Sequence, residues 1–213
     1  MRQTRFKDRT DAGLQLGEEL KRSGIEADIV LAIPRGGLPL GRAVADALGC
    51  TLDIVVAKKI GAPNNPEFAI GAVASDGTVW RNTDAMWWAG TEGDYFENER
   101  ERKQHQAQKT ELEYRGESKE PKIEGKTVVV VDDGVATGST TRACLQKLRA
   151  ENPDRLVLAV PVGPPRTIAQ LRAMVDDLIC LLTPDDFGAV GQYYDRFDQV
   201  SDSEARTFLE PAN

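Results

Sequence analysis

The stretch that decides the fold is VVVDDGVATGSTT, residues 129–141. It continues an apolar, β-branched run from Thr127 to Val131, which is typical of a parallel strand buried on both faces. Two carboxylates, Asp132 and Asp133, follow at once. The carboxyl ends of parallel strands form the ligand-binding edge of an open α/β sheet. At that edge, paired carboxylates accept hydrogen bonds from neighbouring hydroxyls or face a divalent metal ion.

A glycine turn and the start of a helix complete the stretch. Residues 137–141 are rich in hydroxyls, and residues 142–148 have the spacing of an amphipathic helix with Cys144, Leu145 and Leu148 on its inner face. Free backbone N–H groups and the helix dipole at such a terminus favour an anion such as a phosphate monoester. The stretch therefore predicts a phosphate-binding loop beside two carboxylates.

The rest of the chain alternates helical and strand patterns. A charged segment, residues 95–114, predicts a solvated helix or arm rather than a core element, with the only histidine, His105, at its surface. Residues Ser75 to Gly77 predict a hairpin turn. The order of elements predicts an α/β fold, a doubly wound, mainly parallel sheet flanked by helices. Its predicted helices are 8–23, 38–48 and 165–175, and its predicted strands are 29–33, 52–57, 127–131, 156–162 and 178–182.

Composition limits the class of protein. With 213 residues and 40% apolar content, the chain is long enough for one core, and we expect one domain. The formal net charge of −7 argues against broad affinity for nucleic acid or anionic membranes. The N-terminus lacks the apolar core of a signal peptide, so we expect a cytoplasmic protein. Three widely spaced cysteines, Cys50, Cys144 and Cys180, indicate neither a disulfide framework nor a metal site.

The stretch 129–141 resembles the phosphoribosyl pyrophosphate (PRPP) signature of the type I phosphoribosyltransferases. The resemblance implies a single phosphoribosyltransferase domain over residues 1–213, with an insertion or arm at 78–120 and a small hood at 183–200. It further implies that Asp132 and Asp133 bind the ribose hydroxyls. The 5′-phosphate would lie on a loop formed by Ala136, Thr137, Gly138, Ser139, Thr140 and Thr141.

A second turn is similar to the pyrophosphate-binding loop of that family. Residues Pro34, Arg35, Gly36 and Gly37 follow a predicted strand, and a phosphate can approach glycine backbone closely. A plain structural turn with a surface arginine is the other interpretation. Lys58 and Lys59 end the next predicted strand and are also candidates for pyrophosphate, but alternation along a strand leaves open which one faces the site.

The segment Phe187 to Phe197 is similar to the hood of 6-oxopurine phosphoribosyltransferases. By that resemblance Phe187 stacks on the base, and Asp195 binds Mg²⁺ together with Asp132 and Asp133. Aromatic packing without a ligand explains this segment equally well. Ala136 stands where purine enzymes of that subgroup carry an aspartate, so the identity of the base stays open. The whole pattern is most similar to a little-characterised branch of the family, marked also by Phe6-x-Asp8-Arg9 and Lys59-x-Gly61-Ala62-Pro63.

The resemblance implies an enzyme that transfers the phosphoribosyl group of PRPP to a nitrogenous base and releases pyrophosphate, with Mg²⁺ as cofactor and Asp132 and Asp133 as catalytic groups. Residues 61–67 are the candidate loop that excludes water. Two alternatives remain open: a PRPP- or nucleotide-binding regulator without transfer activity, and a hydrolase of PRPP or nucleotides. We expect a homodimer, with residues 95–114 or the Trp87-Trp88 pair as candidate contacts, and no nucleic-acid or membrane partner.

Overall fold

The computed structural model describes residues 5–91, 94–116 and 118–210. These residues divide into two compact units: the first takes residues 5–55, 121–136 and 152–210, and the second takes the described parts of 56–120 and 137–151. In chain order the elements are α1 (Arg9–Arg22), β1 (Ile29–Ala32), α2 (Gly37–Leu48), β2 (Thr51–Ile54), β3 (Ala57–Ala62), β4 (Asn65–Ala74), β5 (Val79–Arg81), α3 (Thr83–Ala89), α4 (Asp94–Arg115), β6 (Thr127–Val131), α5 (Ser139–Ala150), β7 (Arg155–Val162), α6 (Pro165–Arg172), β8 (Asp177–Leu182), a 3₁₀ helix (Val190–Tyr193) and α7 (Asp202–Thr207).

The first unit is built on a five-stranded sheet in the order β2-β1-β6-β7-β8. All four strand pairs are parallel. Valines 128–131 of β6, the central strand, are buried, as their unbroken apolar run predicts. Counted along this sheet, the order is 2-1-3-4-5, a doubly wound topology that reverses between β1 and β6. The predicted doubly wound, mainly parallel α/β fold is confirmed.

Helices α1 and α2 pack against each other on this unit. Asp8 begins α1 as its N-cap, because its side chain accepts a hydrogen bond of 3.0 Å from the N–H of Asp11. The two helices approach closely at Gly13, where a Cβ atom would lie 2.8 Å from the Cα of Leu40. Helix α2 ends at Gly49 in the left-handed conformation, with a φ of 70°. The predicted helices 8–23 and 38–48 are confirmed.

The second unit contains the antiparallel sheet β3-β4-β5 together with α3, α4 and α5. The predicted turn at Ser75 to Gly77 joins β4 to β5 and is confirmed. The predicted strand 52–57 is wrong as one element, because β2 ends at Ile54 and β3 begins at Ala57. An apolar run that continues through Val55 and Val56 contains no signal for where the chain leaves one sheet and enters another.

Helix α4 confirms the predicted helix at 95–114, and His105 is exposed on it. The prediction that this segment adds nothing to a core is wrong at three positions, since Phe96, Ala107 and Tyr114 are buried. Phe96 belongs to a cluster with Ile60, Ala62, Ile70, Val73 and Ala85. The three buried residues are 11 and 7 positions apart and share one face of the helix, but the many charged residues between them hid this face in the sequence.

Residues 78–120 supply β5, α3 and α4 to the second unit, and the 3₁₀ helix lies within 183–200. The insertion and hood boundaries and the single-domain division stay predictions. In the described ranges, no helix combines the length and apolar character needed to cross a membrane. The three cysteines, all in the described ranges, form no disulfide, with Cys144 buried and the other two half-buried.

Candidate functional site

The carboxylates Asp132 and Asp133 lie at the carboxyl end of β6, where the order of the sheet reverses. β1 runs parallel beside β6, and the N–H of Ile33 donates to the carbonyl of Val131 over 2.9 Å. The turn at residues 34–37 therefore leaves the sheet at the same edge and from the adjacent strand. Ligands of open α/β sheets bind outside the strand ends at such a point. The structure brings these two predicted parts of the site together.

The glycine turn is in direct contact with Asp133. A Cβ atom on Gly36 would lie 2.0 Å from the Oδ2 atom of Asp133, and one on Gly37 would lie 2.9 Å from the carbonyl oxygen of Val131. The two glycines are therefore required by close approach and not by an unusual φ. The Pro34–Arg35 peptide bond is cis. The Arg35 side chain is exposed and lies 3.5 Å from the carboxylate of Asp202.

Arg9 contacts the predicted site, although sequence reasoning gave it no role. Its Nε atom donates to Oδ2 of Asp133 over 2.8 Å, and both side chains are largely buried, at 13% and 16% exposed. Its guanidinium carbon lies 3.8 Å from the ring centroid of Phe197, and its Nη1 atom donates to the carbonyl of Asp198 over 2.6 Å. The sequence did contain one signal, because the Phe6-x-Asp8-Arg9 pattern includes this arginine. That pattern indicated the branch of the family but not the residue that the arginine contacts.

The environment of the acidic pair disfavours two free negative charges. Burial raises the pKa of Asp132 well above its usual value, and the nearby charge of Asp133 raises that pKa further. Burial also raises the pKa of Asp133, while the charge and hydrogen bond of Arg9 oppose the rise. The N–H of Asp133 donates to Oδ1 of Asp132 over 2.9 Å. Carboxyl groups in such an environment gain from a bound cation or from hydroxyl donors.

The predicted hood segment lies against the motif through residues other than the two predicted ones. A Cβ atom on Gly134 would lie 2.6 Å from a methyl group of Val190, and the hydroxyl of Tyr194 donates to the carbonyl of Asp133 over 2.6 Å. Phe187 stacks on Tyr193, with centroids 5.7 Å apart and planes at 15°. Asp195 is exposed, and its N–H donates to the carbonyl of Phe6 over 2.8 Å. The roles of Phe187 and Asp195 stay predictions.

The predicted phosphate loop crosses the division of the chain, since Ala136 belongs to the first unit and residues 137–141 to the second. Gly138 has the left-handed conformation, with a φ of 70°, directly before α5. The N-cap residue, Gly138, has no side chain that could cap this helix, and the first backbone bond runs from the N–H of Arg142 to the carbonyl of Gly138. The N–H groups of the three preceding residues therefore have no partner within the helix, as an anion site requires.

Both candidate lysines lie in β3 of the second unit, not at the end of β2. The Nζ atom of Lys59 pairs with Oε2 of Glu67 over 2.7 Å across the hairpin of β3 and β4. This ion pair lowers the pKa of the exposed Glu67. The predicted loop 61–67 is the end of this hairpin, because β3 continues to Ala62 and β4 begins at Asn65. Only the Pro63-Asn64 turn stands outside the strands.

The donor set fits Mg²⁺ through its chemistry. No three His, Cys, Asp or Glu side chains converge anywhere in the described ranges. Mg²⁺ in phosphate-transfer sites usually takes one or two carboxylates, with the remaining ligands from phosphates and water. Asp132 makes no ion pair with a described residue, whereas Asp133 is paired with Arg9. Asp132 is therefore the carboxylate better suited to a cation.

Comparison with known proteins places this geometry in a family. The phosphoribosyl transferase domain matches residues 11–198, which is most of the chain. The chain belongs to this family. Asp132 and Asp133, at the end of β6, lie within the residues that match this phosphoribosyl transferase domain. The predicted family membership is confirmed.

Two curated relatives of this phosphoribosyl transferase domain come from Mycobacterium tuberculosis, strains CDC 1551 and H37Rv, and carry the family name provisionally. Each is 42% identical over 211 residues, which is 98% of this chain and 47% of the relative. The chain thus spans about half the length of the curated relatives it matches.

Among solved structures, TT1426 from Thermus thermophilus is 40% identical, with a TM-score of 0.81 over 96% of this chain and 97% of that one. A hypothetical protein from Neisseria gonorrhoeae with bound ppGpp is 17% identical, with a TM-score of 0.50 over 98% of this phosphoribosyl transferase domain and 97% of that chain. The second likeness concerns the fold alone.

Proposed function

We propose that the protein catalyses Mg²⁺-dependent transfer of the phosphoribosyl group from PRPP to a nitrogenous base, with release of pyrophosphate. The observation that carries the proposal is the position of Asp132 and Asp133, at the carboxyl end of β6 where the sheet order reverses. The same motif continues into a helix N-terminus that lacks a side-chain cap. Membership of the phosphoribosyl transferase family supports a transferase.

Each part of PRPP has proposed partners. The ribose hydroxyls donate to the carboxylates of Asp132 and Asp133, which accept hydrogen bonds when ionised. The 5′-phosphate takes the free N–H groups at the start of α5 and the hydroxyls of residues 137–141. The pyrophosphate lies on the turn at residues 34–37, with Arg35 and one or both of Lys58 and Lys59 as its cations.

Positive charge develops on the ribose ring as pyrophosphate departs. The two carboxylates stabilise that charge while they orient the ring hydroxyls, so they act more strongly on the transition state than on bound PRPP. Asp132, with help from Asp133 and, in the hood proposal, Asp195, would hold Mg²⁺, which would supply positive charge to the leaving pyrophosphate. Arg35 adds to this neutralisation from the side of the turn.

The base is proposed to stack on Phe187, whose ring is already held parallel to Tyr193. Residues 61–67 are proposed to exclude water during transfer, because the ring of PRPP would otherwise react with it. We further propose that the protein acts in the cytoplasm as a homodimer through residues 95–114 or the exposed Trp87-Trp88 pair. Light scattering after size-exclusion chromatography tests the dimer, and a monomeric mass would contradict it.

The decisive experiment incubates the protein with PRPP, Mg²⁺ and a panel of purine and pyrimidine bases. Pyrophosphate release and the ribosylated product are measured together. Release that depends on one base, with matching nucleoside monophosphate, is the expected result. Release without any base would replace the proposal by hydrolysis, and PRPP binding without release would replace it by a regulatory role.

A further inference from the structure

Arg9 is held by three different groups of the first unit. Its Nε atom bonds to Oδ2 of Asp133, its Nη1 atom bonds to the carbonyl of Asp198, and its guanidinium lies over the ring of Phe197. Charge-assisted hydrogen bonds and a stacked guanidinium each restrict the side chain. Together they fix the guanidinium plane rather than merely placing a positive charge nearby.

The groups that hold Arg9 belong to a framework made by both ends of the described chain. Phe6 and Tyr194 form a parallel bridge, in which the N–H of Phe6 donates to the carbonyl of Tyr193 and the N–H of Asp195 donates to the carbonyl of Phe6, each over 2.8 Å. The rings of Phe6 and Tyr194 lie 5.4 Å apart. Tyr194 also donates its hydroxyl to the backbone carbonyl of Asp133. Asp133 is thus held at its backbone and at its carboxylate by one structure.

The carboxylate of Asp133 has two unequal oxygens. Oδ2 accepts the bond from Arg9 and lies against the backbone at Gly36. Oδ1 lies farther from the turn, 3.1 Å from the position that a Cβ atom on Gly36 would take, and accepts no hydrogen bond from the side chain of another described residue. Rotation of the group would break the bond to Arg9. Oδ2 is therefore occupied by a bond within the protein, whereas Oδ1 is available to accept a hydrogen bond from a ligand.

We propose that Arg9 is a positioning residue, which holds the carboxylate of Asp133 so that Oδ1 accepts a ribose hydroxyl of PRPP. This inference rests on the proposed function. Arg9 compensates the charge of Asp133, whereas Asp132 makes no ion pair with a described residue. Phe197 and Tyr194 act through the same framework, so the C-terminal segment contributes to ribose binding without contacting the sugar.

The test compares Arg9→Gln and Arg9→Lys with a matched control, Arg196→Gln. Arg196 lies on the same segment but pairs with Asp8 and not with Asp133. PRPP binding in the presence of Mg²⁺ is measured by calorimetry, alongside thermal unfolding. We expect the dissociation constant to rise about tenfold to thirtyfold in Arg9→Gln, less in Arg9→Lys, and less than twofold in Arg196→Gln. A folded Arg9→Gln protein that binds PRPP like the wild type would overturn the inference.

Guanidinium rescue separates positioning from a purely structural role. Arg9 borders a cleft of about 230 Å³, lined also by Asp8, Thr10, Pro39 and Arg196, which admits a guanidinium ion. In Arg9→Ala, guanidinium at low, non-denaturing concentration should restore much of the PRPP affinity, and an equal concentration of Na⁺ should not. Absence of rescue, together with a fall in affinity that parallels lost thermal stability in every variant, would overturn the inference.

A third measurement keeps the two proposals distinguishable. If the wild-type protein does not bind PRPP at all, the proposed function fails. The inference is then decided by a crystal structure of Arg9→Gln. Rotation of the Asp133 carboxylate away from its wild-type orientation supports positioning by Arg9, and an unchanged orientation overturns it.

Discussion

Two ion pairs lie at predicted binding residues, and they differ in almost everything except length. Arg9 and Asp133 are joined over 2.8 Å, with 13% and 16% of their side chains exposed. Lys59 and Glu67 are joined over 2.7 Å, with 33% and 89% exposed. The first pair is held by an aromatic ring, a carbonyl and a glycine turn. The second pair stands at the end of a hairpin with water on most sides.

This difference in exposure indicates that the two ion pairs have different roles. A largely buried pair with further hydrogen bonds has one geometry, and breaking it leaves an uncompensated charge. An exposed pair contributes little to stability and is screened by salt. An anionic ligand can therefore take Lys59 from Glu67, but it cannot readily take Arg9 from Asp133. We infer that the Arg9–Asp133 pair is preorganised, while the Lys59–Glu67 pair is exchangeable.

The largest expected effect comes from removing a buried side chain that packs against the hairpin of β3 and β4. Phe96 is 2% exposed and belongs to the cluster under β3 and β4, whereas Leu14 is 53% exposed. Phe96→Ala should lower the free energy of unfolding by about 3–5 kcal/mol. The control Leu14→Ala should change it by about 0.5 kcal/mol or less. Denaturant unfolding measures both, and equal losses would show that the hairpin has no packed base.

The next largest effect should follow from removing the charge of one member of the buried pair. Asp133→Asn keeps the shape of the side chain but loses the charge that Arg9 and the reacting ribose require. We expect turnover to fall about 10²-fold to 10³-fold, while pyrophosphate binding changes by less than about threefold. Steady-state kinetics and a pyrophosphate titration separate the two, with the exposed Asp154→Asn as control. Unchanged turnover would remove Asp133 from the mechanism.

A smaller loss should follow from Gly36→Ala. The new methyl group would lie 2.0 Å from Oδ2 of Asp133, so the carboxylate or the turn must shift. We expect PRPP affinity to fall about tenfold, since misplacement by about an ångström is costly at such sites. Gly24→Ala is the matched control, because Gly24 has a φ of 68° but open space around it. It should cost about 1 kcal/mol of stability and leave PRPP affinity intact. Equal affinity in both variants would contradict the close packing of the turn on Asp133.

Glu67→Gln tests the exposed ion pair by removing the negative charge that holds Lys59. The variant frees Lys59, so affinity for pyrophosphate should rise about twofold to threefold at low salt and match the wild type at about 0.5 M salt. The midpoint of thermal unfolding should not move measurably. A large loss of stability, or a gain in affinity that survives high salt, would mean that this pair is as fixed as the buried one.

The smallest effect concerns Asp8, whose exposed pairing with Arg196 lies beside the buried pair. The hydrogen bond from the N–H of Asp11, together with Arg196, lowers the pKa of Asp8. A lowered pKa stabilises the fold above the unfolded value near 3.9, and this stabilisation is lost as pH falls through the folded pKa. Asp8→Asn should therefore cost about 0.5 kcal/mol or less at pH 7 and nothing below about pH 2. A cost that persists at low pH would contradict an electrostatic origin.

Local patterns predicted the parts of the site that are continuous in the chain. The run into Asp132 and Asp133 and the helix that begins after Gly138 were both visible, because burial pattern and turn residues are local signals. The strand at 52–57 failed for the same reason. Its apolar run continues across a change of sheet, and no local signal marks the exit.

The residues that were missed act over long separations. Arg9 and Asp133 are 124 positions apart, and Tyr194 and Asp133 are 61 positions apart. A charged residue at a helix start is ordinarily solvated, so nothing nearby indicated its partner. Glu67 was seen only as part of a loop, although its contact with Lys59 spans just eight positions, because the contact forms where the pairing of β3 and β4 is irregular.

By itself the sequence determined the parallel strand, the acidic pair at its end, the glycine turns and the family. These features depend on hydrophobic period, backbone freedom and adjacent charges, which are properties of neighbouring residues. Only the tertiary structure decided that one carboxylate of the pair is held by Arg9 and that Phe96 anchors an otherwise charged helix. These contacts join residues far apart in the chain, so they depend on the path of the backbone in space. Because the partners are buried, separating them costs free energy.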